Sequence, residues 1–201
     1  MKWTLSETKQ ETNHKFLNFF VFRYTVNKDG KESAYPYFVA SRHDADKLLA
    51  VTGDFSRPDG VLMAVINKPE SDDPEILLIK QFRPALNRYI VEFPAGLLDP
   101  EDEDECVAAG RECVEEAGVE IKNIRLLCPP SPTSTGLSDE IVSIVEAEVS
   151  RLIDRHLEMF EDINAEFVPF SKIPELLNEP SQIIAVNVRL CLLYLLEKNR
   201  K

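Results

Sequence analysis

Between Gly96 and Val119 the chain reads GLLDPEDEDECVAAGRECVEEAGV, and two stripes on one short helix limit what this chain can fold into. Cys106, Gly110, Cys113 and Ala117 fall at i, i+4, i+7 and i+11, a run of small residues suited to close packing against a sheet. Glu112, Glu115 and Glu116 follow the i, i+3, i+4 spacing, which gathers three carboxylates on one face within a single turn. Roughly a third of a turn separates the two stripes, so one face is buried and the other acidic. Like charges this close cost tenths of a kcal/mol per exposed pair. A hard divalent cation offsets that repulsion, since Mg²⁺ takes oxygen ligands and is held by one or two carboxylates plus substrate phosphates. Taken alone, the three glutamates describe a solvated acidic helix; their surroundings argue otherwise.

The helix is expected over Asp102–Ala117, with acidic residues at its positive end and Gly118 as a left-handed cap. Before it, 60–68 and 75–83 are apolar enough for buried strands, and 88–93 makes a third that runs into Pro94-Ala95-Gly96. After it, 119–127, 140–149 and 163–170 read as strands, 128–139 as a Pro/Ser/Thr-rich loop, and 180–199 as a terminal amphipathic helix. Residues 1–58 form a separate β-rich region. There 15–27 and 32–41 are strands around the turn residues Asn27-Lys28-Asp29-Gly30, and Pro36 places the second strand at an edge or bulge. Trp3 is assigned no role. Strands that flank a central helix, with others after it, predict an α/β fold: a mixed sheet covered by helices on both sides. The domains are therefore 1–58, a small antiparallel β-rich region, and 59–201.

A net charge of −12 argues against nucleic-acid and anionic-membrane partners, though not against a polyanionic small molecule neutralised by metal ions. The four cysteines have no CxxC spacing and the three histidines are scattered, which excludes a zinc site or disulfide framework and suits a reducing compartment. With a polar N-terminus and no long uninterrupted apolar run, the expected location is cytoplasmic.

Arg111-Glu112-Cys113-Val114-Glu115-Glu116-Ala117-Gly118-Val119, entered from Pro94-Ala95-Gly96, resembles the signature of the Nudix hydrolases, G-x5-E-x7-R-E-U-x-E-E-x-G-U with U apolar. Two departures stand out. Cys113 is small for its apolar position, and Gly96 lies one residue too far from Glu103, which implies a one-residue insertion with Glu103 or Asp102 in the first glutamate's place. Gln81-Phe82-Arg83, Glu92-Phe93-Pro94-Ala95-Gly96 and Gly136-Leu137-Ser138-Asp139-Glu140 are similar to segments of the ADP-ribose pyrophosphatase and nucleotide-sugar hydrolase branch. The resemblance covers about 60–195. It implies a Nudix α/β/α sandwich, with 1–58 as the β-rich region through which such enzymes form homodimers.

The resemblance also implies a Mg²⁺-dependent pyrophosphatase, with Mn²⁺ as a possible substitute, that splits ADP-ribose or a related nucleoside diphosphate sugar. Glu112 and Glu116, helped by Glu115 and the Ala95 carbonyl, would hold the metal. Arg111 would brace the loop by pairing with Glu103 or Asp102, and Gly96 and Gly118 would shape the backbone. Arg83 is either a phosphate contact or half of a strand-end salt bridge. Glu92 either binds substrate or braces the loop, and Glu140 either joins the site or is solvated. The base is Glu161 or Glu158. Members specific for ADP-ribose carry a proline where this chain has Thr135, which keeps GDP-mannose and other nucleotide sugars open. Two other classes compete: a catalytically silent nucleotide-binding regulator, and a structural homodimer with an incidental acidic helix.

Overall fold

Aromatic and β-branched residues fill 18–41, and the turn between them needs two residues in the left-handed region. Asp29 (φ 54°) and Gly30 (φ 79°) supply it. They join β2 (Asn18–Lys28) to β3 (Lys31–Ser41), with Lys28 opposite Lys31. Pro36, which has no N–H to give, sits in β3, an edge strand of the antiparallel sheet β1-β2-β3. The other edge is β1 (Lys2–Gln10), in a stretch for which no strand was expected. Its sequence KWTLSETKQ lacks an apolar pattern, and its ladder to β2 is what holds it extended. Trp3, given no role above, packs edge-on against Tyr24 and Tyr35 at 5.8 and 5.5 Å between ring centroids. Phe20, Phe22, Val39 and Leu48 make the core of this sheet, beside the short helix α1 (Leu49–Thr52).

The computed structural model describes residues 1–70, 72–157 and 159–199. They fall into two units: Met1–Asp59 with Pro130–Val142, and Gly60–Pro129 with the chain from Ser143 onward. Pro130–Val142 was expected in the later domain. It joins the first unit because its backbone finds partners there: the Ala40 N–H donates to Leu137 O at 2.8 Å, and the Asp59 N–H to Ile141 O at 2.8 Å.

In the second unit the strands are β4 (Gly60–Asn67), β5 (Glu75–Arg83), β6 (Arg88–Glu92), β7 (Ala95–Leu97), β8 (Val119–Pro132), β9 (Ile141–Leu152) and β10 (Ile163–Pro169). They form one seven-stranded sheet in the order β10-β5-β4-β9-β8, with β6 on β5 and β7 on β4. β5 is antiparallel to β4, β6 and β10. β4 and β9 run parallel: Asp59 meets Ile141 where both begin, and Lys68 pairs with Glu148 where both end. The sheet is therefore mixed.

Helix α2 (Glu105–Ala117) lies on one face, where Ala108, Ala109 and Cys113 pack against Val61, Met63, Val65, Leu77 and Val145. The small-residue stripe is thus a packing face, and burial pushes the Cys113 thiol up to about 12. α2 starts three residues later than expected. Asp104 is its N-cap, and its carboxylate accepts from the N–H groups of Cys106 and Val107 at 2.8 and 3.0 Å, which leaves Asp102 and Glu103 in the preceding loop. Helices α3 (Ile173–Asn178) and α4 (Val186–Lys198) follow β10. Lys198 at the end of α4 donates to Glu146, whose neighbour Val145 faces α2, so α4 lies on the opposite face of the sheet. This is the α/β/α sandwich. Among the described residues no helix is long and apolar enough to cross a membrane.

Candidate active site

Period-two alternation puts Ile79, Gln81 and Arg83 on the same face of β5 as Leu77, the α2 face. β6 brings Glu92 opposite Ile79, also on that face, and the Arg83 Nε donates to Glu92 Oε2 at 2.6 Å. Arg83 and Glu92 are thus ion-paired to each other across β5 and β6.

β7 carries the loop backbone over α2. It pairs with the first residues of β4, Leu62 with Ala95 and Val61 with Gly96. Gly96 is required by close approach. A Cβ there would stand 1.9 Å from Glu112 Cδ and 2.0 Å from its Oε1, so the Glu112 side chain lies directly on the glycine. Glu116, only 4% exposed, accepts the Ala95 N–H through Oε2 at 2.9 Å. Its pKa is pushed up to about 8, first by burial and then by the charges of Glu112 and Glu161, against the opposing pull of Ala95 N–H and Arg83. Burial raises Glu112 as well and outweighs the opposing charge and hydrogen bond of Arg111, while Glu115 and Glu161 add smaller upward pushes.

Arg111 ties the loop to the helix. Nη1 donates to Glu112 Oε1 at 2.8 Å and Glu115 Oε2 at 3.2 Å; Nη2 donates to Asp102 Oδ2 at 2.9 Å and Leu97 O at 3.2 Å. Asp99 lies 3.4 Å from Nη2. These carboxylates raise the guanidinium pKa, so Arg111 is a permanent cation. Of the two candidates for its partner, Asp102 is the one Arg111 reaches, buried at 6% exposure. Glu103, the other candidate, is exposed in the loop ahead of the N-cap.

Gly118 closes α2 at φ 67°, and its carbonyl accepts the Ile153 N–H at 2.8 Å. A Cβ on Gly118 would sit 2.5 Å from Ile153 O. With His156 N–H donating to Glu115 O at 3.1 Å, this fastens Ile153 and His156 to the end of the helix. Glu161 is half-buried and its charge bears on both Glu112 and Glu116. Glu158 lies outside the described residues. Glu140 belongs to the first unit, where it accepts from Thr133 Oγ1 at 2.9 Å and stands 3.6 Å from Arg42. Sequence reasoning missed Tyr89 and Asp162, whose hydrogen bond joins β6 to the residue after Glu161. The only signal was an aromatic residue opposite Phe82 in a strand pair.

The donor set is all oxygen, the chemistry a hard divalent cation takes. Among the described residues no three His, Cys, Asp or Glu side chains are already drawn together at metal-ligand spacing, because Arg111 and the Ala95 N–H occupy the same carboxylates. Glu112 and Glu116, whose carboxyls lie against the Ala95-Gly96 backbone and are pushed up mainly by burial, nevertheless fit such an ion.

The chain is similar to known proteins in sequence and in fold. Residues 56–185 match the NUDIX domain family. The ADP-ribose pyrophosphatase of Bacillus subtilis (strain 168) is 38% identical over 103 residues, 51% of this chain and 53% of its own. The methanol dehydrogenase activator of Bacillus methanolicus is 37% identical over 78 residues, 39% of this chain and 41% of its own. The ADP-ribose pyrophosphatase of Saccharomyces cerevisiae (strain ATCC 204508 / S288c) is 37% identical over 108 residues, 52% of this chain and 45% of its own. The chain thus spans about half the length of the curated relatives it matches. In fold it is similar to a crystal structure of an ADP compounds hydrolase, with a TM-score of 0.69 at 16% identity, covering 98% of this chain and 94% of that one. With the match running from the start of β4 past β10, and with a glycine loop laid on a glutamate helix inside an α/β/α sandwich, the chain belongs to the NUDIX domain family.

Proposed function

We propose that the protein is a Mg²⁺-dependent pyrophosphatase that hydrolyses the diphosphate linkage of ADP-ribose or a related nucleoside diphosphate sugar to a nucleoside monophosphate and a sugar phosphate. One observation carries the reading: Glu112 and Glu116 lie directly against the Ala95-Gly96 backbone, and the charge of Glu161 bears on both. Support for the substrate comes from the ADP-ribose pyrophosphatases among the relatives.

In this reading Glu112 and Glu116, with Glu115 and the Ala95 carbonyl, hold Mg²⁺, or Mn²⁺ in its place. The ion supplies positive charge against the diphosphate and acidity toward the attacking water. Glu161 accepts a proton as that water attacks one phosphorus in line and the bridging P–O bond breaks. Arg111, paired with Asp102, Glu112 and Glu115, positions two of the ligands instead of touching substrate. Arg83 offers its remaining guanidinium donors to a phosphate while Glu92 holds its Nε. The proposal includes a homodimer built on the N-terminal sheet, supported by the exposed, stacked rings of Phe19 and Phe38. It also includes a cytoplasmic location, supported by four free cysteines.

Thr135 keeps a second substrate open, GDP-mannose or another sugar nucleotide, on the same chemistry. Incubation with Mg²⁺ and a panel of nucleoside diphosphate sugars, with products identified, tests both. The reading predicts a nucleoside monophosphate from at least one compound, with the kcat/KM ranking naming the sugar. Release from none of them would sink it and favour a binding-only domain.

A further inference from the structure

Glu161 is approached from one side by an exposed stretch and from the other by a fastened one. Met159 and Phe160 before it are 89% and 94% exposed. Asp162 after it is gripped twice: its backbone carbonyl accepts the Phe82 N–H at 3.1 Å, and its carboxylate accepts the Tyr89 hydroxyl. β10 then begins, with Ile163 opposite Gln81. Both grips come from the β5–β6 pair, where Phe82 and Tyr89 stand directly opposite each other and their rings meet edge to face at 5.3 Å. The phenol is therefore aimed by its own strand pair before it reaches Asp162.

We infer that Tyr89 is a positioning residue for Glu161, acting through Asp162. The inference rests on Glu161 being the base of the proposed reaction. Adjacent Cα atoms are about 3.8 Å apart, so a clamp on Asp162 limits the travel of the Glu161 backbone to little more than its own dihedral freedom. Proton transfer needs heavy atoms within hydrogen-bond reach, and a misplacement of about 1 Å can cost on the order of 100-fold. Removing one of the two grips should cost less than that.

Tyr89→Phe removes the hydroxyl and keeps the ring packing. With the full chain, Mg²⁺ and whichever nucleotide sugar it turns over, Tyr89→Phe and Asp162→Ala should each lower kcat by about 10-fold at unchanged KM. The double variant should fall no further than either single one, because both remove the same bond. The Phe82 amide should exchange with solvent faster in Tyr89→Phe, since it donates to the residue being released. Parent kcat in Tyr89→Phe, losses that multiply in the double variant, or a rise in KM alone would overturn the inference; the last would put the phenol on the substrate. If the parent hydrolyses no nucleotide sugar, the proposed function fails separately. Phe82 exchange then decides the clamp: faster exchange supports it and unchanged exchange removes it.

Discussion

Glu116 is kept where its charge is unwelcome. At 4% exposure it faces two other carboxylates and receives one backbone N–H, and its pKa is pushed from an ordinary 4.5 to about 8. A folded-state pKa above the unfolded value means that the fold favours the protonated form. That contribution to stability is complete below about pH 4.5 and is lost as pH rises through about 8. Glutamine stays neutral throughout. In metal-free buffer, thermal melts should show Glu116→Gln matching the parent near pH 4.5 and exceeding it in stability at pH 9; a constant offset across that range would contradict the assignment. The box glutamates were legible at this scale because helical spacing alone puts 112, 115 and 116 on one face. The partner of Arg111 was not, because it sits in an irregular loop where no periodicity says whether Asp102 or Glu103 turns inward. Tyr89 and Asp162 are 73 positions apart, and no local pattern joins them.

Helix α2 works as a lever between two fixed ends. Asp104 caps its start, Gly118 turns the chain out of it, and Glu112, Glu115 and Glu116 all lie in the stretch between them. Losing an N-cap costs about 1 kcal/mol, which in a chain this long lowers Tm by roughly 2–4 °C. Asp104→Ala should show that loss, and Asp104→Ser should recover most of it; equal melting of all three would mean that the cap contributes nothing. α2 was readable because a small-residue stripe, an acidic start and a terminal glycine agree. β1 was not, since a solvated edge strand needs no apolar periodicity and is held by ladder bonds to β2. The same holds for β7, three residues long and defined only by its pairing with β4.

As a whole molecule the chain was legible as a β-rich region followed by an α/β/α domain. The return of Pro130–Val142 to the first unit was hidden, because its partners, Ala40 and Asp59, are distant in sequence and engage through backbone groups that any residue carries. In the first unit Phe38 is 56% exposed and stacked on Phe19 at 5.9 Å, an apolar face on a sheet too small to be robust alone. Light scattering should give twice the 22.9 kDa of one chain, and Phe38→Glu should shift the protein toward the single-chain mass. A parent already at 22.9 kDa would refute the dimer. The central claim, that the carboxylates around the Ala95-Gly96 loop drive Mg²⁺-dependent diphosphate hydrolysis, is tested most directly by following nucleoside monophosphate release from ADP-ribose by the parent and by Glu116→Gln, each with Mg²⁺ and with chelator. The account predicts release by the parent only with Mg²⁺, and a loss of at least about 100-fold in a Glu116→Gln protein that melts no lower than the parent. Release by the folded variant at the parent rate would contradict it.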